Sequence, residues 1–383
     1  MLVNTKDKRP QAAKPTMETL RELFKPHLKL PKARITCFLM LVLAVFGQRT
    51  VSLVWLARHA ATPAKAESVY RRFQRFFASC VLPARTIGAL ILALSPMPPN
   101  GWVLAMDRTN WKFGKFHINI LVVTVILNGV GLPIAWRMLP KKTKRGNSNC
   151  FQRVRLMKDV LAILPFANIR ALSMDREFIG RKWLAWLRLM EVPYVVRVKA
   201  NSLIGGVCAD WWCERNRWKK HAAELHEVFG ERVHFASKRI RKGRKGSKGR
   251  KGSDAFVAVI SHGYQGAEAL ELYQMRWGIE TFFSHLKKRG YQFEDTHMTQ
   301  GERIDKLVGI LAVAFALSYH WGRKLERETG IKLKKHGYRA KSVFRQGFES
   351  LHQMLRTPSL FVSQLADFFF HVFRQPLSGN FVV

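Results

Sequence analysis

The sequence predicts a mixed α/β fold, a sheet with helices on its faces, preceded by a helical region. Three observations predict it. Short apolar runs suited to buried strands, at 102–106, 118–127, 132–138, 169–174 and 193–198, alternate with helical segments at 151–164 and 178–190. Pro96, Pro98, Pro99, Asn100 and Gly101 form a linker that separates this texture from a purely helical one at 17–94. The chain has 383 residues and is 48% apolar, which supplies packed cores for two or three structural units.

Residues 1–16 are polar, carry Pro10 and Pro15, and read as a flexible basic arm. Within 17–100, Val69, Phe73, Phe76, Phe77 and Cys80 recur at steps of three and four and give one helix an apolar face. Arg71, Arg72 and Arg75 project elsewhere on that helix, either as a solvated face or as one that tracks phosphates. Beyond the linker, Asn128-Gly129 between two apolar runs is a hairpin signal. Asp107 closes the first predicted strand and Asp175 the fourth, and open α/β sheets place their sites at such strand ends. Residues 201–262 interrupt the rhythm. Trp211, Trp212 and Trp218 precede a basic loop at 238–253, and nine of the fourteen residues 238–251 are Lys or Arg. A strand follows at 256–260, a long helix at 267–289, and further helices at 301–328 and 342–372.

Charge narrows the partners. Sixty-five Lys and Arg against 26 Asp and Glu leave a formal charge of +39, which calls for a polyanion. DNA fits, because each phosphate neutralised releases condensed counterions. A membrane surface is the rival. The most apolar stretch, 37–47, is too short to span a bilayer, and no signal-peptide core follows the charged N-terminus. Five scattered cysteines fit a reducing compartment, so the expectation is a cytoplasmic protein with no membrane partner.

On the helix at 267–289, Tyr273, Arg276, Glu280 and Lys287 fall within roughly 60° of one another. Leu272, Ile279, Phe283 and Leu286 occupy an adjacent face that would pack on the sheet. Geometry alone also allows this stripe to be a solvated charged face. The spacing Y-x2-R-x3-E-x6-K, inside YQMRWGIETFFSHLK, resembles the signature of the DDE transposases of the IS-four insertion-sequence family. LAMDRTNW around Asp107 resembles that family's first acidic motif, and LSMDREF around Asp175 its second. GNS at 146–148 and QFEDTHM at 292–298 accompany them, and the resemblance runs from roughly residue 30 to 370.

The resemblance implies a ribonuclease-H-like catalytic core at 101–200 and 263–300, with a β-rich insertion domain at 201–262. It places an α-helical DNA-binding region at 17–100 and C-terminal helices at 301–383. The implied activity is metal-dependent phosphodiester hydrolysis and strand transfer at the inverted-repeat ends of an insertion sequence, by cut-and-paste, with two protomers pairing two ends on target DNA. Asp107, Asp175 and Glu280 would be the catalytic acids and metal ligands. Oxygen-only donors suit Mg²⁺ or Mn²⁺, and two ions about 4 Å apart can clamp both oxygens of an in-line displacement. Tyr273, Arg276 and Lys287 would hold end phosphates, and Arg71, Arg72 and Arg75 would add DNA contacts. Relatives capture a flipped base on an aromatic residue of the insertion. Here Phe256 stands where they carry Trp, with Trp211 and Trp212 as alternatives, and a strand Phe is core by default. Cys208, Cys213, His221 and His226 read C-x4-C-x7-H-x4-H, a gap too short for a zinc finger. Two rival readings stay open: another metal-dependent DNA nuclease on the same fold, and a non-catalytic DNA-binding derivative.

Overall fold

The computed structural model describes residues 17–60, 62–113, 116–140, 147–214, 223–239, 256–287, 289–335, 337–356 and 373. The arm at 1–16, residues 240–253 of the basic loop and nearly all of the chain beyond 356 lie outside the described residues.

The chain opens with helices α1 (Met17–Leu28), α2 (Lys32–Gln48), α3 (Leu53–Arg58), α4 (Ala66–Ser79) and α5 (Ala84–Ala93). Strands β1 (Trp102–Phe113), β2 (Phe116–Leu127) and β3 (Val130–Met138) follow, then α6 (Cys150–Leu161), β4 (Ile169–Met174), α7 (Arg181–Leu189) and β5 (Tyr194–Arg197). Next come β6 (Leu203–Ile204), β7 (Val207–Cys208), α8 (Ala209–Glu214), β8 (Leu225–Val228), β9 (Glu231–Arg239) and β10 (Phe256–His262). Helices α9 (Gly266–Met275), α10 (Gly278–Leu286), α11 (Gly301–Thr329) and α12 (Val343–Arg356) close the order. Two compact units result, one from 1–49, 53–80 and 314–376, the other from 50–52, 81–313 and 377–383.

The first unit is helical. On α4, Val69, Phe73, Phe76 and Phe77 are buried, while Arg71, Arg72 and Arg75 are exposed. Helix α12 packs on α2, and Arg49 at the end of α2 lies 5.1 Å above the Phe348 ring. Helices α11 and α12 touch backbone to backbone. A Cβ on Gly322 would stand 2.0 Å from the Val343 carbonyl oxygen, and one on Gly347 would stand 2.0 Å from that of Ser318. Among the described residues α11, rather than the run at 37–47, has the length and apolarity to cross a membrane. Its apolar window is 89% buried inside the protein, so packing accounts for its composition.

The second unit is built on one sheet of eight strands in the order β3-β2-β1-β4-β5-β10-β9-β8. Strands β1, β2 and β3 form an antiparallel meander, and β4 and β5 run parallel to β1. That is the ribonuclease-H-like arrangement the resemblance implies. The hairpin between β2 and β3 turns on Asn128 (φ 49°) and Gly129 (φ 78°), both left-handed, as a two-residue turn requires. Pro133 sits on the edge strand β3 beside a register shift at Val123/Thr124, where a missing N–H is tolerated. Within 201–262, β8, β9 and β10 extend this same sheet through β5.

Two predicted elements are corrected. Strand β1 runs on to Phe113, so Asp107 lies mid-strand and not at its end. After Asp107 the strand has one buried face, with Thr109 and Trp111 inside and Asn110 and Lys112 outside, so no apolar run marks it. The helix at 267–289 divides into α9 and α10 at Arg276 and Trp277.

Helix α10 lies against β3 at two glycines. A Cβ on Gly131 would stand 2.8 Å from the Gly278 carbonyl oxygen and 2.8 Å from Thr124 Oγ1. Gly131→Ala is expected to cost about 1–3 kcal/mol, through forced movement of backbone. A thermal unfolding midpoint equal to that of the wild type would contradict this close approach.

Candidate active site

Strands β1 and β4 pair in parallel from Trp102↔Ile169 to Met106↔Met174. The next residues are Asp107 and Asp175, so the ladder delivers two carboxylates side by side. There the strands part. Strand β1 continues along β2, with Asp107 opposite Val122. Strand β4 ends, and Asp175 opens a tight turn in which the Phe178 N–H donates to the Asp175 carbonyl at 2.9 Å.

The segments behind the two acids are tied together. Arg108 grips Glu177 with two hydrogen bonds, Nε to Oε1 at 3.1 Å and Nη2 to Oε2 at 2.9 Å. A bidentate pair of this kind fixes orientation as well as distance. Arg153 of α6 is buried and donates to the Glu177 carbonyl at 2.8 Å, the Ser148 carbonyl at 2.6 Å and Ser148 Oγ at 2.9 Å. Sequence reading did not identify these arginines, because Arg108 and Glu177 are 69 residues apart.

Helix α9 packs on β4, β5, β9 and β10, and α10 packs on β1, β2 and β3, so the break between them falls over the β1–β4 boundary. At the break the N–H groups of Arg276, Trp277, Ile279 and Glu280 reach back three residues, at 3.1, 3.3, 3.0 and 3.1 Å. That is 3₁₀ geometry, which eclipses residues three apart and stacks Arg276 over Tyr273. The Tyr273 hydroxyl donates to Asp175 Oδ1 at 3.2 Å. Arg276 Nη1 donates to Asp107 Oδ2 at 2.6 Å and lies 3.8 Å from Glu280 Oε1. The Arg276 Cζ is 5.7 Å from the Tyr273 ring centroid and 5.5 Å from that of Trp277. Lys287 ends α10 and donates to the Asn110 carbonyl at 2.9 Å. Asn110 is three residues beyond Asp107, or about 10 Å along the strand. The structure therefore brings Tyr273 and Arg276 onto the acids and sets Lys287 apart.

Burial pushes the Asp107 carboxyl up to about 6. Arg276 and the Arg108 N–H pull it down, Glu280 and Glu177 push it up, and burial outweighs the attraction. Burial acts to lower the Arg276 guanidinium, but Asp107, Tyr273 and Asp175 outweigh it and the net shift is upward. Burial also raises the Tyr273 hydroxyl, which therefore stays a donor. The donor atoms on these acids are oxygens, the chemistry of a hard cation. Among the described residues, however, no three His, Cys, Asp or Glu side chains come close enough together to hold a metal ion. Arg276 supplies the positive charge between Asp107 and Glu280.

Beside Asp175 opens a cavity of about 300 Å³, lined among others by Arg176, Arg197, Lys199, Asn201, Asp210 and Phe256. Arg197 Nη1 lies 4.0 Å from Asp175 Oδ1. Phe256, half-buried, forms part of this basic wall, with Arg239 5.9 Å above its ring. Trp211 and Trp212 pack edge to face on α8, and the Trp212 indole donates to the Ile204 carbonyl at 3.1 Å. Arg197 was legible only as a lone charge ending an apolar strand. Cys208 and Cys213 are free thiols, and His221 lies outside the described residues.

Residues 98–317, more than half of the chain, match the family of the transposase DDE domain. No curated protein matches the chain. Among solved structures it is similar to a piggyBac transposase in a synaptic complex with hairpin DNA, at 12% identity over 92% of this chain and 77% of that one, with a TM-score of 0.39. By the domain match the chain belongs to the DDE transposases, enzymes that cleave and recombine DNA.

Proposed function

We propose that this transposase is of the IS-four type, with Asp107, Asp175 and Glu280 as its catalytic acids and a cut-and-paste route of nicking and strand transfer at element ends. The observation that carries this reading is the end of the β1–β4 ladder beneath the tightened helix turn, where Arg276 contacts Asp107 and Glu280 and Tyr273 contacts Asp175. DDE transposases use divalent metal ions, and the reading assigns two Mg²⁺ or Mn²⁺ ions per site to these three carboxylates. Such ions, when bound, neutralise charge on the attacking and leaving oxygens. Tyr273, Arg276 and Lys287 grip the phosphates of the transposon end. Arg71, Arg72 and Arg75 bind DNA within the helical region 17–100. Two protomers pair two inverted-repeat ends and carry them to target DNA, in the bacterial cytoplasm at the nucleoid. Phe256 stacks on a displaced base in the basic cavity beside Asp175, where Arg197 and Lys199 neutralise its phosphate.

Three experiments test this. On DNA carrying the repeats beside the gene, with Mg²⁺, Asp107→Ala, Asp175→Ala and Glu280→Ala are each expected to cut at least about a thousandfold more slowly than wild type. Equal cleavage by any of them removes that acid from the triad, and binding without cleavage by the wild type points to a non-catalytic derivative. Replacing Arg71, Arg72 and Arg75 together with Gln should reduce the slope of log K against log salt by up to about 3. An unchanged slope assigns these arginines to a merely solvated face. With 2-aminopurine at the element end, Phe256→Ala should weaken capture of the displaced base by about 1–3 kcal/mol and Phe256→Trp should preserve it. A signal indifferent to both removes Phe256 from the reading.

A further inference from the structure

We infer that Arg276 is the resident counter-cation of Asp107 and Glu280, and that DNA phosphate draws it away before those acids accept a divalent ion. The inference rests on the proposed triad and concerns what controls it.

One guanidinium nitrogen serves both acids, 2.6 Å from Asp107 and 3.8 Å from Glu280. Asp107 Oδ1 already accepts from the Arg108 N–H at 2.7 Å, so a divalent ion shared by these carboxylates would compete with Arg276 for Oδ2 and would meet the guanidinium charge at close range. Ion and guanidinium therefore exclude each other. The guanidinium is well enclosed, its side chain only 6% exposed and set against the Tyr273 and Trp277 rings. It is not fully satisfied there. Its Nε is buried with no hydrogen-bond partner, and a buried donor left unpaired carries a real cost. A phosphate offers two acceptor oxygens in the geometry a guanidinium fork prefers.

Moving Arg276 onto DNA would leave Asp107, itself largely buried, facing Glu280 with no cation between them. Paired carboxylates in that position have a strong demand for positive charge. DNA thus creates the demand that the ion meets, and the ion removes the acids' hold on Arg276. Each ligand favours the same turned-out arginine, so the coupling is positive and, by linkage, reciprocal. Asp175 is held differently: it accepts from the neutral Tyr273 hydroxyl at 3.2 Å, and its nearest ion-pair partner is Arg197, at 4.0 Å, rather than Arg276. The consequence is a nuclease site that stays charge-neutralised by its own chain while off DNA.

Binding of Mn²⁺ to the full chain, followed by the electron paramagnetic resonance of the free ion, tests this. It is measured with and without a short duplex carrying one inverted repeat, already cleaved at the end so that no chemistry intervenes. The wild type should bind Mn²⁺ at least about tenfold more tightly with the duplex, and Mn²⁺ should tighten the duplex by the same factor. Arg276→Gln, without DNA, should bind Mn²⁺ about as tightly as wild type does with DNA, whereas Arg276→Lys keeps the charge and should stay weak. Equal wild-type affinity with and without the duplex overturns the inference, and this comparison needs no variant to fold. Arg276→Gln, folded by circular dichroism but no tighter than wild type, also overturns it, because the phosphate then only completes the ion's shell. Asp107→Asn separates the two readings. Undiminished Mn²⁺ binding in that variant dismisses the triad, whatever Arg276 does.

Discussion

Pairing between β1 and β4 stops at Met106↔Met174, and everything in the site follows from that stop. Side chains alternate between the faces of a strand, so a register slip of one residue would turn Asp107 away from Asp175. The register is held from both sides. Leu104, Ala105, Met106, Leu172, Ser173 and Met174 are all fully buried, so both faces of the sheet are packed here and a slip would force side chains of the wrong size into both. Arg108 and Arg153 add a polar lock behind the acids, through Glu177 and its carbonyl. The carboxylates thus stand on backbone hydrogen bonds and core packing rather than on a loop, which is the rigidity that precise positioning of charge demands.

Such a site sets burial against charge. The chain carries 65 basic and 26 acidic residues, yet it gathers Asp107, Asp175, Glu177 and Glu280 into one region. Burial raises Asp107 more than Arg276 lowers it, so the pair is a compromise rather than a surplus of stabilisation. The surrounding arginines and lysines act the other way, as a field that draws DNA and raises its local concentration. A negative centre inside a positive protein suits an enzyme that acts on a polyanion, since the surrounding field recruits the phosphates.

Much of this was legible in the sequence, and the failures have physical causes. The buried strands announced themselves as apolar runs, the β2–β3 turn as Asn128-Gly129, and the buried face of α4 as Val69, Phe73, Phe76 and Phe77. The second half of β1 was hidden because its outer face is polar and a half-buried strand has no apolar run. Within 201–262 only the strand at 256–260 was legible as such, and its addition to the central sheet was not, because β5 pairs with β10 across a long stretch of chain. Arg197, Arg108 and Glu177 matter only through partners distant in sequence, which no local pattern can register.

Helical-wheel arithmetic found the right face of 267–289 for an incomplete reason. At 100° per residue Tyr273 and Arg276 are about 60° apart and Glu280 falls between them, about 20° from Tyr273 and about 40° from Arg276. The 3₁₀ turn advances roughly 120° per residue, which brings Tyr273 and Arg276 into line and carries Glu280 further round. Alignment lets one turn of helix reach two acids on neighbouring strands, which lie about 4.8 Å apart. Displacement leaves Glu280 the most open of the three, 44% exposed against 15% for Asp107. Gly278 pressed on Gly131 fixes how deep this turn sits, since any side chain there would lift α10 from β3. Asp107 and Asp175 therefore stand on the sheet or at its strand end, and Glu280 stands on a helix turn held against β3 by backbone contact.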